Sequence, residues 1–210
     1  MSSKVFGFVG MECYDLIFYA SKTASELGFE VLMVDLSPNK DLSYLYPGEF
    51  NNGDTVDVDG VALMKGKLEK GCFSGYDYIL INYGCNPQFL NICDEIYFVT
   101  NFQKHNISPL QSVQVPEVPC YLVVRDRGAC SMNYDYILNE LPNIRVQEED
   151  DIYAIEDSDA DVCTRVFLQH SMITKFSKLS SSIKDFVKHV LEADFSPKDI
   201  DHAWKHLVKG

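Results

Sequence analysis

The sequence predicts an α/β domain in which a doubly wound, mostly parallel sheet is flanked by helices. Three observations predict this class: near-continuous apolar runs of strand length, segments of helical periodicity between them, and no linker or internal repeat. Such apolar runs are typical of strands buried on both faces of a parallel sheet, and their alternation with helices is typical of a doubly wound fold. We predict one domain over residues 1–210, with a C-terminal helical extension from about 196 to 210.

The opening of the chain predicts a strand, a helix and a second strand. Residues 4–10 are mainly apolar, and residues 15–27 carry apolar side chains at helical spacing. Gly28 follows as a natural helix C-cap. The near-continuous apolar run over residues 29–37 then predicts a second buried strand.

The rest of the chain predicts a hairpin, further buried strands and a helical C-terminal part. An Asp-Gly pair at 59–60 lies within an alternating segment, which predicts a small hairpin. The predicted strands are 77–83, 94–100, 118–125 and an edge strand within 144–155, and the predicted helices are 131–141, 162–192 with a candidate break at 180–182, and 197–209. Prolines within 101–119 limit any long helix there.

Composition excludes several classes of protein. The net charge of −13 weighs against nucleic acid as a partner, because a non-specific nucleic-acid binder needs lysines and arginines to neutralise phosphates. No apolar run reaches the roughly 18 residues of a membrane span, and the N-terminus lacks the layout of a signal peptide. We therefore expect a cytoplasmic protein with no membrane partner. The seven cysteines and five histidines do not have zinc-ligand spacing, so we predict no metal site.

The segment FVGMECYD, residues 8–15, joins the first predicted strand to the first predicted helix. Many α/β proteins hold a phosphate at such a junction, where glycines allow backbone N–H groups to point at the ligand. Here Glu12 lies where a phosphate-binding loop has a cation. The segment is therefore a nucleotide site, the remains of one, or an ordinary turn.

The order of the strands and of three later motifs resembles the ParA/MinD family of deviant Walker A ATPases, which have a P-loop NTPase fold. The resemblance covers most of residues 4–191. Residues 34–39 (VDLSPN) lie at the place of the family's D-x-D-P-Q-like motif, residues 77–84 (DYILINYG) at its Walker B strand, and residues 93–100 (CDEIYFVT) at a later strand motif. The resemblance implies a strand order near 3-2-4-1-5, whereas a receiver-like or flavodoxin-like domain, the unrelated alternative, would have 2-1-3-4-5.

The departures from the family pattern fall on its chemistry. Glu12, Cys13 and Tyr14 replace the glycine, lysine and hydroxyl residues of the phosphate loop, which is also shorter and keeps only Gly10. Asn82 replaces the Walker B aspartate. Ser37 replaces the second Asp of the D-x-D motif, and the adenine-reading Asn-Arg pair is absent. Positioning, charge neutralisation and metal support for a triphosphate are thus lost together. We predict a vestigial nucleotide pocket with no catalytic residue, formed by Gly10, Met11, Glu12, Cys13, Tyr14, Asp35, Asn82 and Gly84.

The resemblance therefore implies a pseudo-ATPase that binds neither ATP nor magnesium and acts as a scaffolding or positioning factor. It is similar to the degenerate TadZ-type proteins of pilus assembly and polar localisation, which implies a homodimer and a protein partner from a pilus or secretion apparatus. The alternative within the family is a divergent but active ATPase, in which a lysine such as Lys40 or Lys104 reaches the phosphates.

Two further features are candidates for contact with a partner. Arg125 and Arg127 form a basic loop in an acidic chain that could meet an anionic ligand or a partner, although a solvated loop paired with nearby carboxylates is the simpler interpretation. Trp204 and Leu207 share the apolar face of the last predicted helix, which could dock on its own domain, on a partner or, less favourably, on a membrane. Cys13 is either a reactive thiol at a helix N-terminus or an ordinary buried one.

Overall fold

The structure is a computed structural model that describes residues 3–68, 71–126, 132–146, 151–156, 158–171 and 176–209. Within these residues the strands are β1 (Lys4–Gly10), β2 (Val31–Asp35), β3 (Thr55–Val58), β4 (Val61–Lys65), β5 (Tyr78–Gly84), β6 (Glu95–Thr100), β7 (Cys120–Arg125) and β8 (Ile152–Ile155). The α-helices are α1 (Tyr14–Glu26), α2 (Lys104–Ile107), α3 (Tyr134–Glu140), α4 (Asp159–Ser171), α5 (Ser181–Glu192) and α6 (Pro197–Lys209). Each predicted strand and helix has a counterpart here, with ends shifted by a few residues.

The eight described strands form one sheet in the order β3-β4-β2-β5-β1-β6-β7-β8. All neighbours are parallel except the β3–β4 hairpin. Without β3, the parallel strands numbered along the chain have the order 3-2-4-1-5-6-7. This order confirms the expectation drawn from the ParA/MinD resemblance and excludes the 2-1-3-4-5 order of the receiver-like alternative. It also places β1, and the loop that follows it, at the centre of the sheet.

Alternate residues of the central strands supply the two cores of a three-layer domain. Phe6 and Phe8 of β1 belong to one apolar cluster, together with residues of α1, α5 and α6. Val5 and Val9 belong to the other cluster, on the opposite face of the sheet, together with residues of α3 and of the segment that follows α2. This alternation follows from the two-residue period of a strand, and it explains why the strand segments are apolar without interruption.

The predicted hairpin turn and helix break are both present. Asp59 and Gly60 have φ values of 53° and 79°, as a two-residue hairpin of the primed type requires. Between α4 and α5 the chain passes through a 3-10 turn at Phe176–Lys178. Ser180 then caps α5, because its hydroxyl accepts a hydrogen bond from the Ile183 amide.

The last helix docks on its own domain. The amide of Asp199 donates to the hydroxyl of Ser196, which begins α6 as predicted. Trp204 is only 5% exposed, and its ring packs edge-on against Phe176 at 5.1 Å between centroids. The prediction that Trp204 contacts a partner is therefore wrong, because this side chain fills the core, and Leu207 beside it is partly buried. None of the described helices combines the length and apolar character needed to cross a bilayer.

Candidate functional site

A cleft of about 590 Å³ lies over the carboxyl end of the central strands, where open α/β sheets bind ligands. Its walls come from the loops after β1, β2 and β5, and include Gly10, Met11, Glu12, Ser37, Asp41 and Gly84. The structure thus brings together several residues of the predicted vestigial pocket. The others, Cys13, Tyr14, Asp35 and Asn82, lie buried directly below.

The loop after β1 turns sharply at Gly10, whose φ is 130°. A Cβ atom at this position would lie 2.0 Å from the carbonyl oxygen of Val99, so only glycine fits. Immediately beyond, the Met11 amide donates a hydrogen bond of 2.9 Å to that same carbonyl. A phosphate-binding loop directs successive N–H groups at its ligand, whereas this N–H is already bonded to β6.

Cys13 and Tyr14 begin α1 below the cleft and are engaged inside the protein. The Cys13 thiol is 1% exposed and lies 3.9 Å from Oδ1 of Asn82. Burial, and to a smaller extent the nearby Asp41 carboxylate, raises the pKa of Cys13 well above its ordinary value, the direction opposite to that of a reactive thiolate. The hydroxyl of Tyr14 donates to the backbone oxygen of Arg165 in α4, at 2.8 Å.

Below the loop lies a buried ion pair between Asp15 and Arg125. The guanidinium of Arg125, at the end of β7, donates to both carboxylate oxygens of Asp15 at 2.7 and 2.8 Å, and it also contacts the backbone oxygen of Glu12 at 3.3 Å. The two side chains are 0% and 1% exposed. The prediction that Arg125 forms a partner surface is therefore wrong, because its guanidinium is buried inside the domain and paired with Asp15. Arg127, the other arginine of that prediction, lies outside the described residues.

Asp35, at the end of β2, holds the loop that follows it. One carboxylate oxygen accepts hydrogen bonds from the amide and hydroxyl of Ser37, at 3.1 and 2.7 Å. The other accepts from the amide and hydroxyl of Ser43, at 2.7 and 2.6 Å. Because Asp35 is fully buried, these four donors replace water as its partners. This carboxylate is a loop cap, and it does not face the cleft.

Asn82, at the end of β5, is hydrogen-bonded to Asp41. Its amide nitrogen donates to Oδ1 of Asp41 at 2.7 Å, and its carbonyl oxygen accepts from the Gly84 amide at 3.2 Å. The Ser37 hydroxyl lies 2.7 Å from that same Asp41 oxygen. Burial, followed by the charge of Asp35, raises the pKa of Asp41. A Cβ at Gly84 would lie 2.9 Å from Pro38, which keeps the loops after β2 and β5 in close contact.

Two participants in this site, Asp15 and Asp41, were not predicted from the sequence. Asp15 lies in the first turn of α1, where an acidic residue is common for helix-dipole reasons alone. Asp41 precedes the 3-10 turn Leu42–Leu45 as a cap residue. Neither local pattern indicates the hydrogen-bond partners of these residues, Arg125 and Asn82, which lie more than forty residues away along the chain.

The electrostatics of the cleft are negative. Its described lining residues include the carboxylates of Glu12 and Asp41 and no lysine or arginine. Lys40, the candidate for an incoming lysine, has its Nζ 3.4 Å from the backbone oxygen of Asp35. Within the described parts of the chain, no group of three or more His, Cys, Asp or Glu side chains is arranged to hold a metal ion.

Comparison with known proteins identifies the fold. No protein-family model and no curated protein sequence matches the chain. Among solved structures, it superposes on a ParA family ATPase from Chlorobium tepidum TLS with a TM-score of 0.63 and 16% identity, over 90% of this chain and 99% of that one. A chain of the MinC:MinD cell division complex of Aquifex aeolicus gives 0.65 and 13%, over 92% and 98% of the two chains.

The chain has the ParA/MinD fold. A plasmid partition protein of Borrelia burgdorferi, solved with bound AMPPNP, also has this fold, with a TM-score of 0.60 and 11% identity over 98% of this chain and 99% of that one. Identities of 11–16% establish the fold of this chain and nothing finer.

The ParA/MinD fold implies ATP and magnesium, and the residues of this chain fit neither. The Met11 N–H is bonded to β6 and the cleft is lined by carboxylates. Arg125, the cation nearest the start of α1, is already paired with Asp15 in the first turn of that helix. An amide, Asn82, lies in place of the carboxylate that would support the metal. No step of an ATPase reaction can be derived from these groups.

Proposed function

We propose that this protein is a ParA/MinD-fold pseudo-ATPase, which neither binds nor hydrolyses ATP and acts as a scaffolding or positioning factor through contacts with other proteins. The observation that carries the proposal is the buried Asp15–Arg125 pair, with both side chains at most 1% exposed. Arg125, the cation next to the start of α1, is thus paired with a carboxylate of the protein itself beneath the loop and does not line the cleft in which an ATPase of this fold would bind phosphate.

A bound nucleotide would require several unfavourable changes in the cleft. A triphosphate in the cleft would face the Glu12 and Asp41 carboxylates, and the Met11 N–H would have to leave Val99. Breaking the Asp15–Arg125 pair to free the guanidinium would leave a buried, uncompensated carboxylate, at a cost of about 3–5 kcal/mol. Together these free-energy costs offset the binding free energy that the remaining phosphate contacts would supply.

The scaffolding part of the proposal is supported by the kind of protein that shares the fold. One structural neighbour is a chain of a complex between two cell division proteins, and another is a plasmid partition protein. By the resemblance to TadZ-type proteins, we propose a homodimer that engages a component of a pilus or secretion apparatus, or of a polar localisation system.

Thermal unfolding with nucleotides tests the loss of ATP binding. A ligand at 100 times its Kd stabilises a protein by about 2.7 kcal/mol, which for a domain of this size shifts Tm by roughly 5–10 °C. We expect no shift with ATP, ADP or GTP in the presence of Mg²⁺, and no phosphate release. A saturable shift or measurable turnover would overturn the proposal.

The variant Glu12→Lys tests which feature excludes ATP, the negative charge of Glu12 or the loop whose Met11 N–H is already hydrogen-bonded. Glu12 is exposed, so the substitution is expected to leave the fold intact. It removes a carboxylate from the cleft and adds a cation, yet the Met11 N–H and the Asp15–Arg125 pair are unchanged. We expect E12K to bind no nucleotide either. Binding by E12K alone would show that charge, rather than the occupied loop, excludes ATP.

The scaffolding role has its own measurements. Light scattering of the purified chain is expected to give the mass of two copies, unchanged by ATP. A fluorescent fusion in the source cells is expected to form a focus, at a pole or at a secretion apparatus, that E12K also forms. A monomer would contradict the dimer, and diffuse fluorescence would contradict the positioning role.

A further inference from the structure

Two histidines of α6 lie side by side on its exposed surface. His202 and His206 are four residues apart, so their side chains project from the same face of the helix. Their ring centroids are 5.0 Å apart with an interplanar angle of 42°. Both residues are exposed, and the His206 side chain is 59% accessible.

This separation matches that of two imidazoles bound to one metal ion. A metal about 2.0–2.1 Å from one nitrogen of each ring lies about 3.2 Å from each centroid, so ligand angles of about 90–110° separate the centroids by about 4.5–5.2 Å. The observed 5.0 Å lies within this interval. The spacing of the two rings is therefore compatible with a shared ion.

Glu26, in the last turn of α1, contacts the ring of His206. Its Oε1 lies 3.2 Å from Nδ1 of His206. Of the two neutral tautomers of the imidazole, the one with its proton on Nδ1 can donate to this carboxylate, and it presents the lone pair of Nε2 to a metal. Carboxylates commonly support metal-bound histidines in this way, fixing the ring and raising its basicity.

We propose that His202 and His206 form a site for a borderline divalent transition metal, such as Cu²⁺ or Zn²⁺, with Glu26 as the supporting carboxylate. Imidazole suits these ions, and the affinity follows the order Zn²⁺ below Cu²⁺. No third protein ligand joins the pair among the described residues, so water completes the coordination shell and the affinity is moderate. Because Glu26 belongs to α1, a bound metal strengthens the docking of α6. This site is independent of the proposed scaffolding function.

Calorimetric titration of the full chain with CuCl₂ and with ZnCl₂ tests the site. We expect one ion per chain, tighter binding of Cu²⁺, and an increase in Tm with either metal. His202→Ala and His206→Ala should each weaken binding at least ten-fold, and circular dichroism of these exposed-site variants checks that they fold. His105→Ala, at an exposed histidine of α2, is the matched control and should leave the affinity unchanged.

Glu26→Gln and spectroscopy give readouts that the histidine variants do not. The carboxamide keeps the shape of Glu26 but removes its negative charge from the Nδ1 side of His206, so affinity should fall by about ten-fold without being lost. Electron paramagnetic resonance of the Cu²⁺ complex should show two nitrogen ligands in the wild type and one in each histidine variant. Absence of saturable binding would overturn the proposal. So would unchanged binding by the variant lacking both histidines, or binding that thiol alkylation abolishes, since exposed cysteines would then hold the metal.

Discussion

The loops at the carboxyl edge of the sheet and the C-terminal helices are held in place in opposite ways. The loops depend on buried polar pairs between distant parts of the chain, such as Asp15 with Arg125 and Asp41 with Asn82. Helices α5 and α6 depend on apolar stripes and on local serine caps. The two regions of the domain thus rest on different kinds of interaction, long-range polar pairs at the sheet edge and apolar packing in the helical layer.

This difference determines how each region responds to substitution. Removing one member of a buried ion pair leaves an uncompensated charge, whereas replacing both members by apolar groups can be neutral. Removing an apolar side chain costs its transfer free energy plus a cavity contribution. Substitutions in the two regions are therefore expected to differ in size and in how a second substitution compensates for them.

Arg125→Ala is expected to cause the largest loss of stability, about 3–5 kcal/mol, because it leaves the Asp15 carboxylate buried without its cation. Urea unfolding followed by circular dichroism measures the change. The double variant Asp15→Leu with Arg125→Met is the control, since it removes both charges and fills the space. It should recover most of the loss. Equal destabilisation by the single and double variants would contradict an electrostatic origin.

Trp204→Ala is expected to cost about 3 kcal/mol, because the indole fills the space between α6 and Phe176. The value lies at the low end for a buried tryptophan, since a terminal helix can detach in part. Val208→Ala is the matched control on the same helix, 40% exposed, with an expected change within about 0.5 kcal/mol. Similar losses for the two variants would argue against the docking of α6 through Trp204.

Asp35→Ala is expected to cost about 2 kcal/mol, because the buried amides of Ser37 and Ser43 lose their acceptor. Unfolding in urea gives the value, and amide hydrogen exchange should show faster exchange at these two positions. Glu49→Ala, an exposed acidic residue, is the control and should change stability by less than about 0.5 kcal/mol. Unchanged exchange at Ser37 and Ser43 would contradict the capping role of Asp35.

The same contrast explains which features the sequence could predict. Helix α6 was predicted because Ile200, Ala203 and Trp204 repeat at helical spacing, although the pattern did not identify Phe176 as the surface that Trp204 covers. The position of the cleft followed from the strand order, which the resemblance to the ParA/MinD family implied and the structure confirms. The pairing of Asp15 with Arg125 spans 110 residues, so no local pattern contains it. An arginine beside an aspartate in sequence is typical of a solvated loop, and only the three-dimensional structure places Arg125 in the core.

Asp41 gives the smallest effect, and its sign depends on pH. Burial and the charge of Asp35 raise its pKa in the folded protein above that of the unfolded chain. Between these two pKa values the folded state binds more protons than the unfolded state, so the contribution of Asp41 to stability falls as pH rises through this window.

The variant Asp41→Asn removes the titration, and its carboxamide oxygen can still accept the Asn82 hydrogen bond. We expect the stability of the wild type relative to Asp41→Asn, measured by urea unfolding at each pH, to fall as pH rises above about 4, the ordinary pKa of an aspartate. Asp57→Asn, at an exposed hairpin residue, controls for the loss of a carboxylate. A stability difference independent of pH would show that Asp41 keeps its ordinary pKa in the folded protein.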